Sequence, residues 1–247
     1  MMFLASLVLL AVTLAALPHM ARPLAHLFPG TQPAIYPFAS FASLLARQAI
    51  LVALAAGTAT LLGAGLAIAV TRGGGRAFRP LAAAVASAGQ TFPPVAVLAL
   101  SVPLFGYGMR PAFVALALYA LLPVLSNTLA GLDAVPPAVR EAADGMGLSP
   151  MQRLRRVELP LALPLILAGV RTATIVSIGT AAIASTVGVP TLGSPILDGL
   201  VSEKTGYVVE GALVAALFAV ATDLGFERLA RLTDPFSRAR LRDMTGS

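Results

Sequence analysis

The sequence predicts an all-α, polytopic integral membrane protein with about six transmembrane helices and a cytoplasmic helix–turn–helix between the fourth and the fifth. Three observations lead there. Of 247 residues, 57% are hydrophobic and only 11% charged, with a mean hydropathy of +0.87; a soluble domain of this length needs more polar surface to face water. The apolar residues gather in runs that approach or exceed the ~20 needed for a helix to cross ~30 Å of hydrocarbon. The charges are clustered too: eight fall within residues 133–160, between two apolar runs.

The spans follow in order at residues 3–17, 48–70, 81–105, 112–132, 161–187 and 207–226. Each must satisfy its own backbone hydrogen bonds inside the bilayer, so helices are expected; the alternating ten-residue pattern of an outer-membrane barrel is absent. The first run is short, but Met1–Ser6 carries no basic residue and no clear cleavage site precedes a soluble domain, so it reads as a retained helix rather than a signal peptide. Residues 18–40 form a Pro-rich outer segment without helical period, expected to be extended. Its His19 and His26 lack the spacing and carboxylate company of a metal site. In the second span Ala55, Ala59 and Gly63 recur every fourth position, a face that lets helices approach closely. The organisation expected is a first helix with its outer segment over 1–40, a transmembrane domain over 41–232, and a basic cytoplasmic tail over 233–247.

The net charge of +6 rests on Arg, with a single Lys. In a soluble protein it would hint at nucleic acid; here it sits in loops and tail and reports topology. With both termini cytoplasmic, twelve Arg fall inside and four basic residues (Arg22, Arg47, Arg110, Lys204) outside, with Arg171 within a span. That split puts residues 133–160 in the cytoplasm. The absence of Cys excludes disulfides and Cys-ligated metals. TRGGGRAFRP (71–80) and GLVSEKT (199–205) miss the spacing of a phosphate-binding loop, so no nucleotide site and no cofactor is expected on this chain.

The charged loop has its own grammar. Pro136 and Pro137 suit the first turn of a helix, and Gly145 or Gly147 can take the left-handed conformation that closes one. Ser149 can cap a second helix, with Pro150 in its first turn and Gln152 completing a capping box. That helix is expected over 150–157, ended by Pro160. Met146, Leu148 and Met151 would then present apolar surface beside Arg153, Arg155 and Arg156. Read from the residues alone, such an element is either a docking surface for a partner or an interfacial helix pair lying on lipid headgroups.

The spacing Glu141-Ala142-Ala143, Gly147, Val157, Leu159, Pro160 resembles the cytoplasmic EAA loop of ABC-importer permease subunits. GQTFPPVAVLAL (89–100), ALYALLPVLSNTLAGL (117–132), VPPAVREAADGMGL (135–148) and residues 157–184 are similar to permeases of the osmoprotectant group, which import glycine betaine, choline, carnitine or proline. The resemblance covers about residues 48–232. VGVPTLGSPI (187–196) departs from the Gly-rich stretch expected there. The resemblance implies a type I ABC importer permease fold in the cell inner membrane and no catalytic site on the chain. It implies an ABC ATPase partner that binds ATP and Mg, a separate periplasmic or lipid-anchored substrate-binding protein, and a second permease subunit, identical or homologous. It also implies that Glu141, Ala142, Ala143, Gly147, Met151, Leu159 and Pro160 couple the chain to the ATPase. Glu141 would pair with an Arg of the loop or cap it.

Within the spans, polar groups are costly and need partners. Gln90, Thr91, Ser126, Asn127, Arg171, Thr172, Thr174 and Ser177 are candidates for lining a pathway. The hydroxyls can bond back to their own helical turn; Asn127 and Gln90 are the better candidates for bonds between helices. Arg171 would snorkel to the cytoplasmic face or pair with Asp223 or a neighbour. Without Trp and with four Tyr, the chain is poor in the aromatic faces that cage a quaternary ammonium, which places selectivity on the binding protein. Three other readings stand beside this one. A permease for an amino acid or other small solute would share the same loop. A membrane enzyme would need a compact acid, base or metal set that is missing, and a secondary transporter would show inverted repeats that are not evident.

Overall fold

The computed structural model describes residues 2–89 and 91–233, which hold eleven α-helices and no strand. Helix α1 (Met2–Ala16) runs into a short 3₁₀ turn and α2 (Ala21–Leu27). The long helices are α3 (Phe41–Val70), α6 (Met109–Asp133), α9 (Leu159–Thr180) and α11 (Thr205–Thr233). Between them lie α4 (Arg79–Gly89), α5 (Pro94–Phe105), α7 (Pro137–Gly145), α8 (Pro150–Arg153) and α10 (Gly193–Val201). Five segments are long and apolar enough to cross a membrane, and α4 with α5 makes a sixth if the bent pair is counted as one span.

Three expectations need correction. Residues 18–40 are not extended throughout, because α2 forms despite Pro23. Pro23 sits in the first turn, where a helix has no use for the missing N–H. The third span is not one helix: α4 and α5 meet at 102° across Thr91-Phe92-Pro93-Pro94. Two successive prolines remove two donors and push the residue before them out of the helical region; Pro93 is extended at ψ 132 and Pro94 starts α5. Finally, Pro160 does not end α8. The helix continues from Pro150 to Val187. A π turn over Leu154–Glu158, where Leu159 N–H reaches back to Leu154 O, widens the chain just before Pro160 and accommodates its ring.

The core is built on close approach of α3, α6 and α9. Ala59, Ala120, Val124 and Ala173 form its centre. The expected small-residue face of α3 is buried against α6: a Cβ on Gly63 would stand 3.1 Å from Leu121 O and 3.2 Å from Val124 Cβ. Gly169 of α9 is tighter still, 2.7 Å from Asn127 Cβ and 2.9 Å from Pro123 O of α6. Helices in lipid gain little from hydrophobic exclusion, so such backbone-to-backbone contact is what holds them. Helix α1 lies on α11, where Phe3 faces Gly225 and Arg228 sits 5.9 Å from the Phe3 ring.

The chain alternates between two ends. The elbow end gathers the end of α3, the start of α4, the end of α6, α7, α8 and the π turn. The opposite end gathers residues 28–40, the start of α3, residues 181–192, α10 and the start of α11, around Tyr36, Phe41, Leu44, Leu192 and Tyr207.

Candidate functional site

At the elbow end, α7 starts on Pro136 and Pro137 and closes on Gly147, whose φ of +75 selects it over Gly145 as the left-handed residue. Leu148 N–H bonds to Ala143 O and Gly147 N–H to Asp144 O, the paired bonds of a Schellman closure. Two residues later the expected capping box is present: Ser149 Oγ accepts from Gln152 N–H, and Gln152 Oε1 accepts from Ser149 N–H at 2.9 Å. The elbow is therefore a defined turn between two capped helices. Ala143 (1% exposed) is buried at the elbow, while Leu154 packs into a cluster with Leu132 and Ala162. Glu141, Ala142, Met146 and Met151 face outward. Leu159 is half-buried and Pro160 exposed where the elbow joins α9.

What fixes the elbow to the bundle is a residue the motif does not mark. Glu158, in the π turn, is 2% exposed. Its carboxylate accepts from Arg72, at the end of α3, and from Arg153 of α8 at 3.0 Å, with Arg140 of α7 at 3.9 Å. Arg153 also grips Asp144 of α7, and Arg140 donates to Leu132 O at the end of α6. Arg79 pairs with Asp133 nearby. One buried carboxylate thus joins three separate pieces of chain. A buried charge is tolerated only when surrounded in this way. Burial lowers the pKa of Arg72, helped by the positive charges of Arg153, Arg140 and Arg76. Beside this network lies a recess of about 360 Å³.

Glu141 neither pairs with an Arg nor caps the loop; it is exposed, and among the described residues no acceptor or donor engages its side chain. The intramembrane candidates separate. Gln90 lies outside the described residues. Thr91 is exposed at the break between α4 and α5 and donates to Ala88 O. Ser126, Thr172 and Thr174 donate to carbonyls one turn back, as their type allows, and Ser177 is buried. Asn127 corrects the expectation of a bond between helices: Nδ2 donates to Pro123 O of its own helix at 2.9 Å, where Gly169 lets α9 approach closely. Arg171 and Asp223 form a bidentate pair between α9 and α11, with both contacts at 2.6 Å.

The opposite end carries polar groups that sequence reasoning passed over. Gln48 (0% exposed) donates to Ile178 O at 3.0 Å and accepts from Leu192 N–H at 2.9 Å, tying α3 to α9 and to the segment before α10. Glu210, buried in α11, accepts the Tyr36 N–H at 3.1 Å. Nothing in the linear spacing signals either partnership.

The family described as binding-protein-dependent transport system inner membrane component matches residues 59–238. The osmoprotectant import permease protein OsmW of Salmonella typhimurium is 40% identical over 199 residues, covering 78% of this chain and 92% of that relative. The choline transport system permease protein OpuBB of Bacillus subtilis is 40% identical, covering 63% of this chain and 72% of the relative. Among solved structures, an inward-facing form of the MetNI methionine ABC transporter superimposes with a TM-score of 0.71 at 20% identity, covering 78% of this chain and 95% of that one.

Proposed function

Because the chain belongs to the family of binding-protein-dependent transport system inner membrane components, we propose that it forms the membrane pathway of an ATP-driven importer for an osmoprotectant such as glycine betaine or choline. Relatives named for osmoprotectant and choline import, at about 40% identity, support that solute class. The partners proposed are an ABC ATPase beneath the elbow, a periplasmic or lipid-anchored substrate-binding protein at the opposite end, and a second permease subunit, identical or homologous. ATP and Mg belong to the ATPase. In this reading the elbow and both termini are cytoplasmic, which the Arg distribution supports.

The observation that carries the reading is the braced elbow. Glu141, Ala142, Met146 and Met151 form the exposed face offered to the ATPase, and Ala143 holds that face to its own base. Gly147 sets the angle between α7 and α8. Through the π turn, Leu159 and Pro160 make α8 continuous with α9, so displacement of the elbow moves a span that touches α6 backbone to backbone. Two sites are coupled only when something between them has two positions and is stiff enough to carry the difference; the Glu158 network supplies that stiffness. Along the pathway we place Thr91 at the broken third span and Arg171 with Asp223, since interrupted helices at membrane depth are found where they line a cavity. Asn127 and Thr174 support the same wall from the contact between α6 and α9.

The test is reconstitution in liposomes with the ATPase and the binding protein. The expected result is accumulation of glycine betaine or choline that requires ATP and the binding protein. Accumulation without the ATPase, or stimulation by amino acids alone, would contradict the reading.

A further inference from the structure

We propose that the opposite end of the bundle carries a receiving site of its own: a cup that holds a small zwitterion with a methylated ammonium at one end and a carboxylate at the other. The choice of ligand rests on the osmoprotectant reading; the cup itself rests on geometry. A cavity of about 340 Å³ opens between the start of α3, the turn after α9, and α10, with Tyr36, Phe38, Arg47, Gly188, Ser194 and Asp198 in its lining. That volume is at the small end of the ~300–1,000 Å³ common for small-molecule sites, and suits a solute of a few heavy atoms.

The lining carries two chemically different sets of groups. Tyr36 and Phe38 stand edge to face with centroids 5.4 Å apart, and the Tyr36 hydroxyl donates to Asp198 Oδ2 at 2.5 Å. A quaternary ammonium has no N–H to donate, so aromatic rings and a nearby carboxylate are the groups that can hold it. Burial, and then the hydrogen bond and charge of Asp198, push the Tyr36 phenol up, so it stays protonated and keeps donating. Arg47 supplies the opposite charge. It is exposed on α3, and among the described residues no carboxylate pairs with it. Its planar fork matches a carboxylate with two parallel bonds.

The aromatic set is also held in place before any ligand arrives. Tyr36 N–H is tied to Glu210 at 3.1 Å, and its ring meets Tyr207 at 5.4 Å and 84°. Gln48 fixes the backbone at Leu192, behind the cup wall. Ordering the site in advance removes part of the cost of binding. The shortage of aromatics in the composition pointed away from such a cage. Two of the few aromatics present are brought together by the Pro-rich segment over residues 18–40.

The test uses the chain with its ATPase partner in lipid nanodiscs, without ATP and without the binding protein. Equilibrium binding of radiolabelled glycine betaine and choline is measured. Both should bind saturably. Asp198→Asn, which keeps an acceptor for Tyr36, should weaken both by about tenfold, and Arg47→Gln should weaken glycine betaine by about tenfold while leaving choline within about twofold, as expected for loss of one charge-assisted contact. Both residues are exposed, so the fold should persist. Absence of saturable binding to the unmodified complex, or equal binding by all three proteins, overturns the cup. If the cup fails while binding-protein-dependent uptake proceeds, the importer reading stands. If the cup shows this pattern while uptake of both solutes is absent, that reading falls and the cup remains.

Discussion

At Gly147 the backbone stands at φ +75, inside a turn whose two closing bonds depend on that conformation. An L side chain there costs about 1–2 kcal/mol, and the strain is relieved by changing the angle between α7 and α8. Gly147→Asp is therefore expected to assemble with the ATPase and to hydrolyse ATP without matching uptake, read as hydrolysis and accumulation in the same liposomes. Gln48 works differently: it satisfies two backbone groups from positions far apart in sequence. Gln48→Leu leaves a buried N–H and C=O unpaired, at about 1–3 kcal/mol each, and should lower the thermal midpoint in detergent. Gly147 could be found from the motif and from its place after a helix. Gln48 and Glu158 could not. The Arg72 partner of Glu158 lies 86 positions away, and three Arg converge on it only once α3, α7 and α8 have packed. Glu141 is the converse, plain in the motif and without a side-chain partner among the described residues.

Among the elements, those governed by local rules match expectation. The cap at Ser149, the closure at Gly147 and the proline start of α7 each depend on neighbours within about six residues. Elements governed by competition between local preference and packing do not. Pro160 reads as a stop, yet a π turn carries the helix past it; the paired prolines at 93 and 94 fall inside the span expected over 81–105, yet they break it. In both cases the outcome depends on whether the bundle offers the freed backbone groups a place, which spacing alone does not encode. The contact of α6 with α9 gives a test at this scale. Gly169→Val puts carbon within 3 Å of Asn127 Cβ and Pro123 O. It should destabilise the chain by about 1–3 kcal/mol, as overpacking does, seen as a lower unfolding midpoint and a smaller yield of intact complex.

For the molecule as a whole, alternation of the ends reduces to a question of sides. The hydropathy pattern marks the apolar spans, except for the break in the third, and the Arg distribution supports the direction proposed for them. The chain has no Cys, so single cysteines report cleanly. In membranes that hold the chain without its partners, Met151→Cys should react with a membrane-impermeant maleimide only from the cytoplasm and Val201→Cys only from outside; both positions are exposed, at 55% and 87%. Reaction of both from one side would remove the proposed topology.

The central claim is that a braced elbow carries the stroke of an ATPase into the bundle, and Glu158→Gln tests it most directly. The substitution keeps the shape of the side chain and removes the charge that three Arg share. The measurement is solute moved per ATP hydrolysed by the reconstituted, intact complex. Coupling between sites is typically worth about 1–3 kcal/mol, so the ratio should fall by about tenfold or more while hydrolysis continues. An unchanged ratio in an intact complex would contradict the account.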